Sequence, residues 1–373
     1  MKATCGEREL NLLAIQRMAF LGTSAKLALL GFLDSGAPLS LLSIRDVAAL
    51  TGRPLRAGLP SPASFLAEAE GDALLLERLG ARFACMTDHD YPAAFAEIPQ
   101  PPFGVYLRGA AIPQDRPAVS IVGTRLPTGL GMSTAFSLAR GFAEAGLPVV
   151  SGLARGIDGA AHRGALRGRG LTCAVLACGV ESVYPAAHRS LAASILESGG
   201  LLLSEYPPGT EIRKSRFPER NRLIAGLSRG TIVVEAPAGS GALITADFAL
   251  EQGRDVYVAS ACLEGPRSAG LDRLASEGAM AIGDGSEVRA EWGWEGTADP
   301  VDVSIGNLWR EGLGLGADEN RRTSMIEGLA LAEALRAELG NLVLCGSSAM
   351  PSAMPSAMPS AMVPSGMPPA GRG

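Results

Sequence analysis

The sequence is short of the residues that most often ligate metals or carry proton transfer. Only three histidines occur in 373 residues. The six cysteines, at 5, 85, 173, 178, 262 and 345, show no spacing that gathers ligands, so no metal site is expected. They read as reduced thiols of a cytoplasmic protein, and Cys173 and Cys178 fall in a predicted buried strand. Aromatic residues make up 5% of the chain, which leaves few stacking platforms. Long apolar runs are absent: the greasiest segment, 19–33, is interrupted by Lys26 and too short to span a bilayer. The opening Met1-Lys2-Ala3-Thr4-Cys5-Gly6-Glu7 has no apolar signal core, so neither export nor a membrane partner is expected. A net charge of −5 excludes a globally basic nucleic-acid binder.

The average conceals an asymmetry. Residues 116–230 hold 14 Lys/Arg against 7 Asp/Glu, whereas the remainder holds 19 against 31. A basic segment in an acidic chain predicts a polyanion partner for one face of one domain.

The rest of the chain is organised around 118–162. An apolar run, Ala118-Val119-Ser120-Ile121-Val122, leads into Gly123-Thr124-Arg125 and a helical pattern. A second run, Val149-Val150, breaks at Ser151-Gly152 and is followed by Arg155-Gly156-Ile157-Asp158. A buried strand, a glycine turn and a helix make the first half of a Rossmann-like unit. Apolar runs at 118–122, 147–151, 171–177, 200–204, 231–235, 255–259 and 279–282 then alternate with helical segments. Strands without polar alternation are buried on both faces, which predicts an α/β fold with a doubly wound, mostly parallel sheet. Met132, Phe136, Ala139 and Phe142 are the expected core stripe of the first helix.

The expected organisation is a small helical domain over 1–85, a lead-in over 86–117, an extended Rossmann-like domain over 118–290, a divergent region over 291–345, and a tail over 346–373. A helix is expected over 324–339. In the tail, Ser-Ala-Met-Pro repeats exclude helix and sheet alike. His89 between Asp88 and Asp90 reads as a turn capped by carboxylates, not as a ligand set.

Three turns can receive phosphate. Gly123, Thr124 and Arg125 follow the first strand; Ser151, Gly152 and Arg155 follow the second; Ser240 and Gly241 follow Thr231–Glu235 and open a helix. Small residues let backbone N–H groups approach an anion, and a planar guanidinium grips it from the side. Arg220, Asn221 and Arg222, preceded by Arg213, Lys214 and Arg216, are expected to project toward the same sheet edge. Asp158 is expected to cap the helix that it opens. Neither Gly-x-Gly-x-x-Gly nor an acidic residue at the end of the second strand is present, which argues against a nicotinamide dinucleotide site. No cofactor and no catalytic residue are assigned.

Taken together, Asp88-His89-Asp90-Tyr91-Pro92, Val122-Gly123-Thr124-Arg125, Ser151-Gly152-Leu153-Ala154-Arg155-Gly156-Ile157-Asp158-Gly159-Ala160-Ala161-His162, Leu203-Ser204-Glu205-Tyr206-Pro207-Pro208-Gly209, the run 217–228 and Ser240-Gly241-Ala242-Leu243-Ile244-Thr245-Ala246 closely resemble the DprA/Smf (DNA-processing protein A) family. The resemblance implies an extended Rossmann fold after a SAM or helix-hairpin-helix-like domain. It also implies a homodimer without catalytic turnover that binds single-stranded DNA, protects it, and loads a RecA-type recombinase in natural transformation. By the same resemblance Arg125, Ser151, Gly152, Arg220 and Arg222 line the DNA pocket, with His188 and Arg189 on the same edge. The family usually has asparagine where His188 stands, Pro-Gly where Ser260-Ala261 stands, and asparagine near Asp272, departures that touch the pocket rim and the dimer edge. Many members end in a winged helix, for which 318–345 is too short and too poorly patterned. A competing class is nucleotide hydrolysis: the 237–245 turn is similar to the signature of nucleotide phosphoribohydrolases. There, however, Thr245 stands where the catalytic glutamate belongs, leaving only Asp247 and Glu251 as substitutes. A third class is a regulator that senses a free nucleotide.

Overall fold

A computed structural model describes residues 6–296 apart from 53, 55 and 57. The expectations for 324–339 and for the tail from 346 lie outside the described residues. Four helices come first: α1 (Glu7–Arg17), α2 (Thr23–Asp34), α3 (Ile44–Thr51) and α4 (Pro62–Leu79). Their ends follow local chemistry. Ser43 and Asp46 close a reciprocal capping box on α3, and Ser61 with Pro62 starts α4. Gly80 ends α4 in the left-handed region at φ 58°. Leu13, Ile15, Met18, Leu29 and Leu39 pack into a core that also takes Phe103 and Tyr106.

The sheet has nine strands among the described residues: β1 (Ala81–Cys85), β2 (Gly104–Gly109), β3 (Val119–Val122), β4 (Val149–Ser151), β5 (Thr172–Leu176), β6 (Leu201–Ser204), β7 (Gly230–Val233), β8 (Asp255–Ala259) and β9 (Met280–Ile282). Their order is β1-β2-β6-β5-β4-β3-β7-β8-β9, with β1–β2 and β2–β6 antiparallel and the remainder parallel. The seven expected strands are present within about two residues of the sequence reading. β1 and β2 were not foreseen. Polar Arg82 and Arg108 interrupt their apolar character. Through β2, the strand β1 that follows α4 is joined to the parallel part of the sheet.

Helices α5 (Gly129–Glu144), α6 (Ile157–Arg167), α7 (Arg189–Glu197), α8 (Arg216–Gly226), α9 (Gly241–Glu251), α10 (Ala269–Ser276) and α11 (Ser286–Glu291) complete the described fold. The expected stripe of α5 is corrected at its N-terminal half. Ala135, Leu138, Ala139 and Phe142 are buried, while Met132 stands 36% exposed because the helix meets the core one turn later than the spacing suggested. The chain runs from β3 outward through β4, β5 and β6, then returns to place β7 on the other flank of β3. That reversal is the topological switch point, at whose carboxyl ends open α/β sheets take their ligands.

Helices α5 and α6 cross at close range through Gly164. A Cβ there would stand 2.2 Å from the carbonyl oxygen of Phe136. Gly164→Val should therefore destabilise the protein by about 1–3 kcal/mol or more, read as a lower denaturant midpoint at unchanged slope. An unchanged midpoint would contradict this packing.

Candidate nucleic-acid interface

The exit of β3 is pinned from two sides. The Thr124 amide donates to the carbonyl of Glu235 at 2.7 Å, and the Ile157 amide donates to the carbonyl of Thr124 at 3.3 Å. Gly123 fits here because a Cβ would lie 2.5 Å from Ile157. Thr124 is buried and accepts the Leu126 amide, so its hydroxyl serves the turn. Arg125 leaves this pinned turn into solvent and lies over the ring of Phe217, 4.9 Å from its centroid. The Tyr184 ring, 44% exposed, is 5.5 Å from that of Phe217. Beneath the two rings lies a small notch lined by Gly152, Leu176, Cys178 and Ile212. One cation, two aromatic faces and a glycine backbone thus meet at the carboxyl ends of β3, β4 and β5.

The anion nests expected at the turns are largely filled by the chain itself. The buried carboxylate of Asp158 accepts the amides of Gly152 and Ala154, both at 3.2 Å. The N-cap of α6 is Gly156, so Asp158 reaches back into the preceding turn and does not cap its own helix. Burial pushes the Asp158 pKa above the ordinary carboxylate value, against the pull of Arg220, the two amides and Arg125. At the switch point, Glu235 accepts the Thr128 amide at 2.9 Å and the Thr128 hydroxyl, while Thr128 accepts the Gly131 amide at 3.0 Å. The positive end of α5 is thereby occupied by an internal carboxylate. At the third turn, the Ser240 hydroxyl accepts the Ala242 amide, and the Asn221 side chain donates to the carbonyl of exposed Gly241 at 3.2 Å.

Two further expected residues turn inward. The Ser151 hydroxyl is fully buried and donates to the carbonyl of Ile121 at 2.7 Å. Arg220 is 3% exposed; its guanidinium donates to the carbonyls of Gly152, at 2.8 Å, and Val175. A Cβ at Gly152 would stand 2.6 Å from Arg220 Nη2, which explains the glycine. The expectation that Arg220 projects as a free phosphate grip is corrected: it braces β4 against β5. His188 is also buried. Its Nδ1–H donates to the carbonyl of Leu153 at 2.9 Å, helping to hold that residue at φ 57°.

Arg222 lies apart from the notch, in an ion pair with Glu205 and donating to the carbonyl of Gln100 at 2.8 Å. Arg155, Arg189 and Lys214 are exposed. Arg216 stacks on the Tyr206 ring at 5.1 Å, and Arg213 pairs with Glu211 at 2.8 Å. The structure therefore gathers Gly123, Arg125, Gly152 and Arg220 around one centre, and does not bring Arg222 to it. Glu235 was missed by sequence reasoning, although a carboxylate closing an apolar strand signals a buried acceptor. Elsewhere, Asp88 accepts the Cys85 amide at 2.8 Å and Asp90 pairs with Arg82 at 2.6 Å. Asp247 faces Arg273 at 3.4 Å, and Thr245 is buried.

The model of the family described as DNA recombination-mediator protein A matches residues 82–293. The chain is similar to Protein Smf of Synechocystis, 45% identical over 180 residues, which cover 47% of this chain and 45% of that protein. It is similar also to DNA processing protein DprA of Streptococcus pneumoniae, 40% identical over 205 residues, covering 55% and 72%. The chain spans about half the length of the first curated relatives that it matches. The X-ray structure of the Streptococcus pneumoniae protein superposes with a TM-score of 0.60 at 34% identity, covering 77% of this chain and 98% of that one. DNA processing protein A of Helicobacter pylori, solved for insight into its single-stranded DNA binding mode, superposes with a TM-score of 0.52 at 28% identity, covering 58% and 97%.

Two outcomes follow from the buried groups. Arg220→Ala leaves Asp158 buried without its cation and should cost about 3–5 kcal/mol of stability, measured by denaturant unfolding; a cost near zero would mean that Arg220 braces nothing. His162, fully buried on α6, is the second case. The Thr172 hydroxyl donates to the carbonyl of Val149 at 2.8 Å, so His162 Nδ1–H must be the donor in its 2.8 Å bond to Thr172. Burial, aided by the charges of His188, Arg220 and Arg163, lowers the His162 pKa from 6.5 to about 3. Above 6.5 folded and unfolded rings are both neutral; below it the unfolded chain takes up a proton that the folded chain refuses until about 3. Stability is therefore full above that window and lost as the pH falls through it. Between pH 7 and 5 the loss from this residue should be about 2 kcal/mol, and His162→Gln should remove it from the stability–pH curve. Parallel curves for the two proteins would refute the assignment.

Proposed function

The chain belongs to the DNA recombination-mediator protein A family, and from that premise we propose that it binds single-stranded DNA at the carboxyl edge of its sheet. We propose further that it protects the strand and delivers it to a RecA-type recombinase, acting as a homodimer. The observation that carries the reading is the cluster of exposed Arg125 and Tyr184 against the half-buried Phe217 ring at the notch. A duplex hides its bases, whereas a single strand offers both phosphates for Arg125 and unstacked base faces for Tyr184. Exposed Arg155, Lys214 and Arg189 extend the positive rim for further phosphates.

The filled amide turns support a particular division of labour. With Asp158 and Glu235 on the backbone donors, phosphate contacts fall to side-chain cations at the surface. Such contacts are long-range, sequence-tolerant and sensitive to salt. The aromatic pair then supplies the short-range term that distinguishes a single strand from a duplex.

Fluorescence anisotropy with labelled single- and double-stranded oligonucleotides across a salt series tests this directly. Arg125→Ala should weaken single-strand binding and lower the salt slope by about 0.7, without changing the unfolding midpoint. Tyr184→Ala should cost about 1–3 kcal/mol of binding with the slope unchanged. If both variants bind like wild type, or if duplex binds as well as single strand, the proposal fails. Delivery is read separately, as faster recombinase nucleation on a strand coated with single-strand-binding protein; no acceleration would refute that step alone.

A further inference from the structure

A cavity of about 730 Å³ opens between α1–α2 and the segment after β6, on the far side of α8 from the notch, and strand binding at the notch leaves it unused. Lys26 stands on its wall, 7% exposed, with the Phe103 ring 5.6 Å from Nζ. Its ammonium donates to the backbone carbonyl of Gln16 at 2.8 Å and to Gln16 Oε1 at 3.2 Å, both neutral acceptors. Glu205, whose charge acts on Lys26 against the effect of burial, is itself paired with Arg222, and the Gln16 amide donates to the backbone carbonyl of Glu205 at 2.6 Å. An ammonium buried against neutral partners is costly unless something anionic joins it. Burial already lowers the Lys26 pKa to about 8. Gly22, Thr23 and Ser24 also line the cavity, and they open α2 without a side-chain cap, so the positive end of a helix faces the same space.

The charge balance and the size together select a ligand class. Glu205 and Arg222 cancel, leaving Lys26 and the helix end as an unmatched positive site for one anionic group. The volume greatly exceeds that of a bare anion and lies within the range of small-molecule sites, roughly 300–1,000 Å³. The remaining lining offers an aromatic ring at Tyr206, the sulfur-bearing chain of Met86, and the amide of exposed Gln100. These suit a planar, hydrogen-bonding body attached to the anion. Tyr206 also carries Arg216 on its ring, and Arg216 adjoins Phe217 of the notch, so the cavity and the notch flank the start of one helix.

We propose that this cavity binds a nucleoside monophosphate, with the phosphate at Lys26 and the first turn of α2 and the base beside Tyr206. The unit can come from two sources, a free mononucleotide or the 5′-phosphorylated end of a strand; the second source alone rests on the strand-binding reading above.

Calorimetry of the full chain with thymidine 5′-monophosphate, thymidine and inorganic phosphate tests the site. The monophosphate should bind about tenfold or more tightly than either fragment. Lys26→Met, which removes the charge while keeping an apolar stem, should abolish the difference from thymidine. Ser24→Glu, at an exposed rim position where folding is not at stake, should do the same. A second arm compares 5′-phosphate and 5′-hydroxyl oligonucleotides: tighter binding of the phosphorylated end, lost in Lys26→Met, assigns the strand end as the source. Equal binding of the two ends with retained mononucleotide binding assigns the free nucleotide. The proposal is overturned if the monophosphate binds no better than inorganic phosphate, or if neither variant changes its affinity. Binding of the 5′-hydroxyl oligonucleotide by Lys26→Met reports on the notch independently, so the two readings can fail separately.

Discussion

The carboxyl edge of the sheet depends on two internal carboxylates that occupy amide donors of its turns. Asp158 holds the Gly152–Ala154 turn after β4, and Glu235 closes the start of α5 at the switch point through Thr128. A helix start and a run of amide donors attract any anion. Here folding supplies that anion, and the gain is geometric: two loops that would be loose at the end of a parallel sheet are tied to the opposite strand or helix. What the sheet edge then presents outward is not backbone but side chains, Arg125 above all. Recognition built on surface cations and aromatic faces is tolerant of sequence, whereas a backbone nest measures out a single phosphate. The arrangement suits a polymer better than a mononucleotide at this edge.

Arg220 extends the same logic to the interior. It spans from α8 to the carbonyls of Gly152 and Val175, close enough to Gly152 to exclude any side chain there. Its positive charge offsets part of the cost of burying Asp158, and Asp158 does the same for Arg220, with burial the larger effect on both. The glycine turn, the aspartate and the arginine are therefore one unit, although they come from three separate segments of sequence. Arg125 is adjacent in the same field and remains free to meet solvent because Arg220 has taken the buried role.

Much of this was legible beforehand. Seven apolar runs gave seven strands at nearly correct limits, because strands buried on both faces leave an unbroken signature. β1 and β2 were not legible for the converse reason: antiparallel, and interrupted by Arg82 and Arg108, they gain their place from pairing, not from composition. At the candidate site, sequence spacing picked turns that the structure places at the carboxyl edge of the sheet, with Arg125 exposed there. It did not separate the roles of Arg220 and Arg222, two residues apart on one helix. Such a separation sends side chains to different faces, and which face meets the sheet depends on how α8 docks. Nor does spacing show that a turn rich in small residues already has its acceptor, since Glu235 lies 107 residues from Thr128.

The placement of Arg222 bears on how the two parts of the edge relate. Its pairing with Glu205 and its bond to the carbonyl of Gln100 tie α8 to the segment after β6 and to the lead-in before β2. Gln16 of α1 reaches the backbone carbonyl of the same Glu205. One helix thus reaches the notch through Phe217 and Arg220 and, through Arg222, binds the same Glu205 whose backbone carbonyl accepts from Gln16 of the helical segment. Lys26 hydrogen-bonds to neutral groups of Gln16 and feels Glu205 only through space, while Arg222 from α8 pairs with that same carboxylate. The electrostatic character of the cavity is consequently set by a residue of the sheet domain, although the cation itself comes from the preceding helices. A charge left uncompensated by such an arrangement is stable only if its cost is met by a bound anion or by the rest of the fold, and the cavity beside it is large enough for the former.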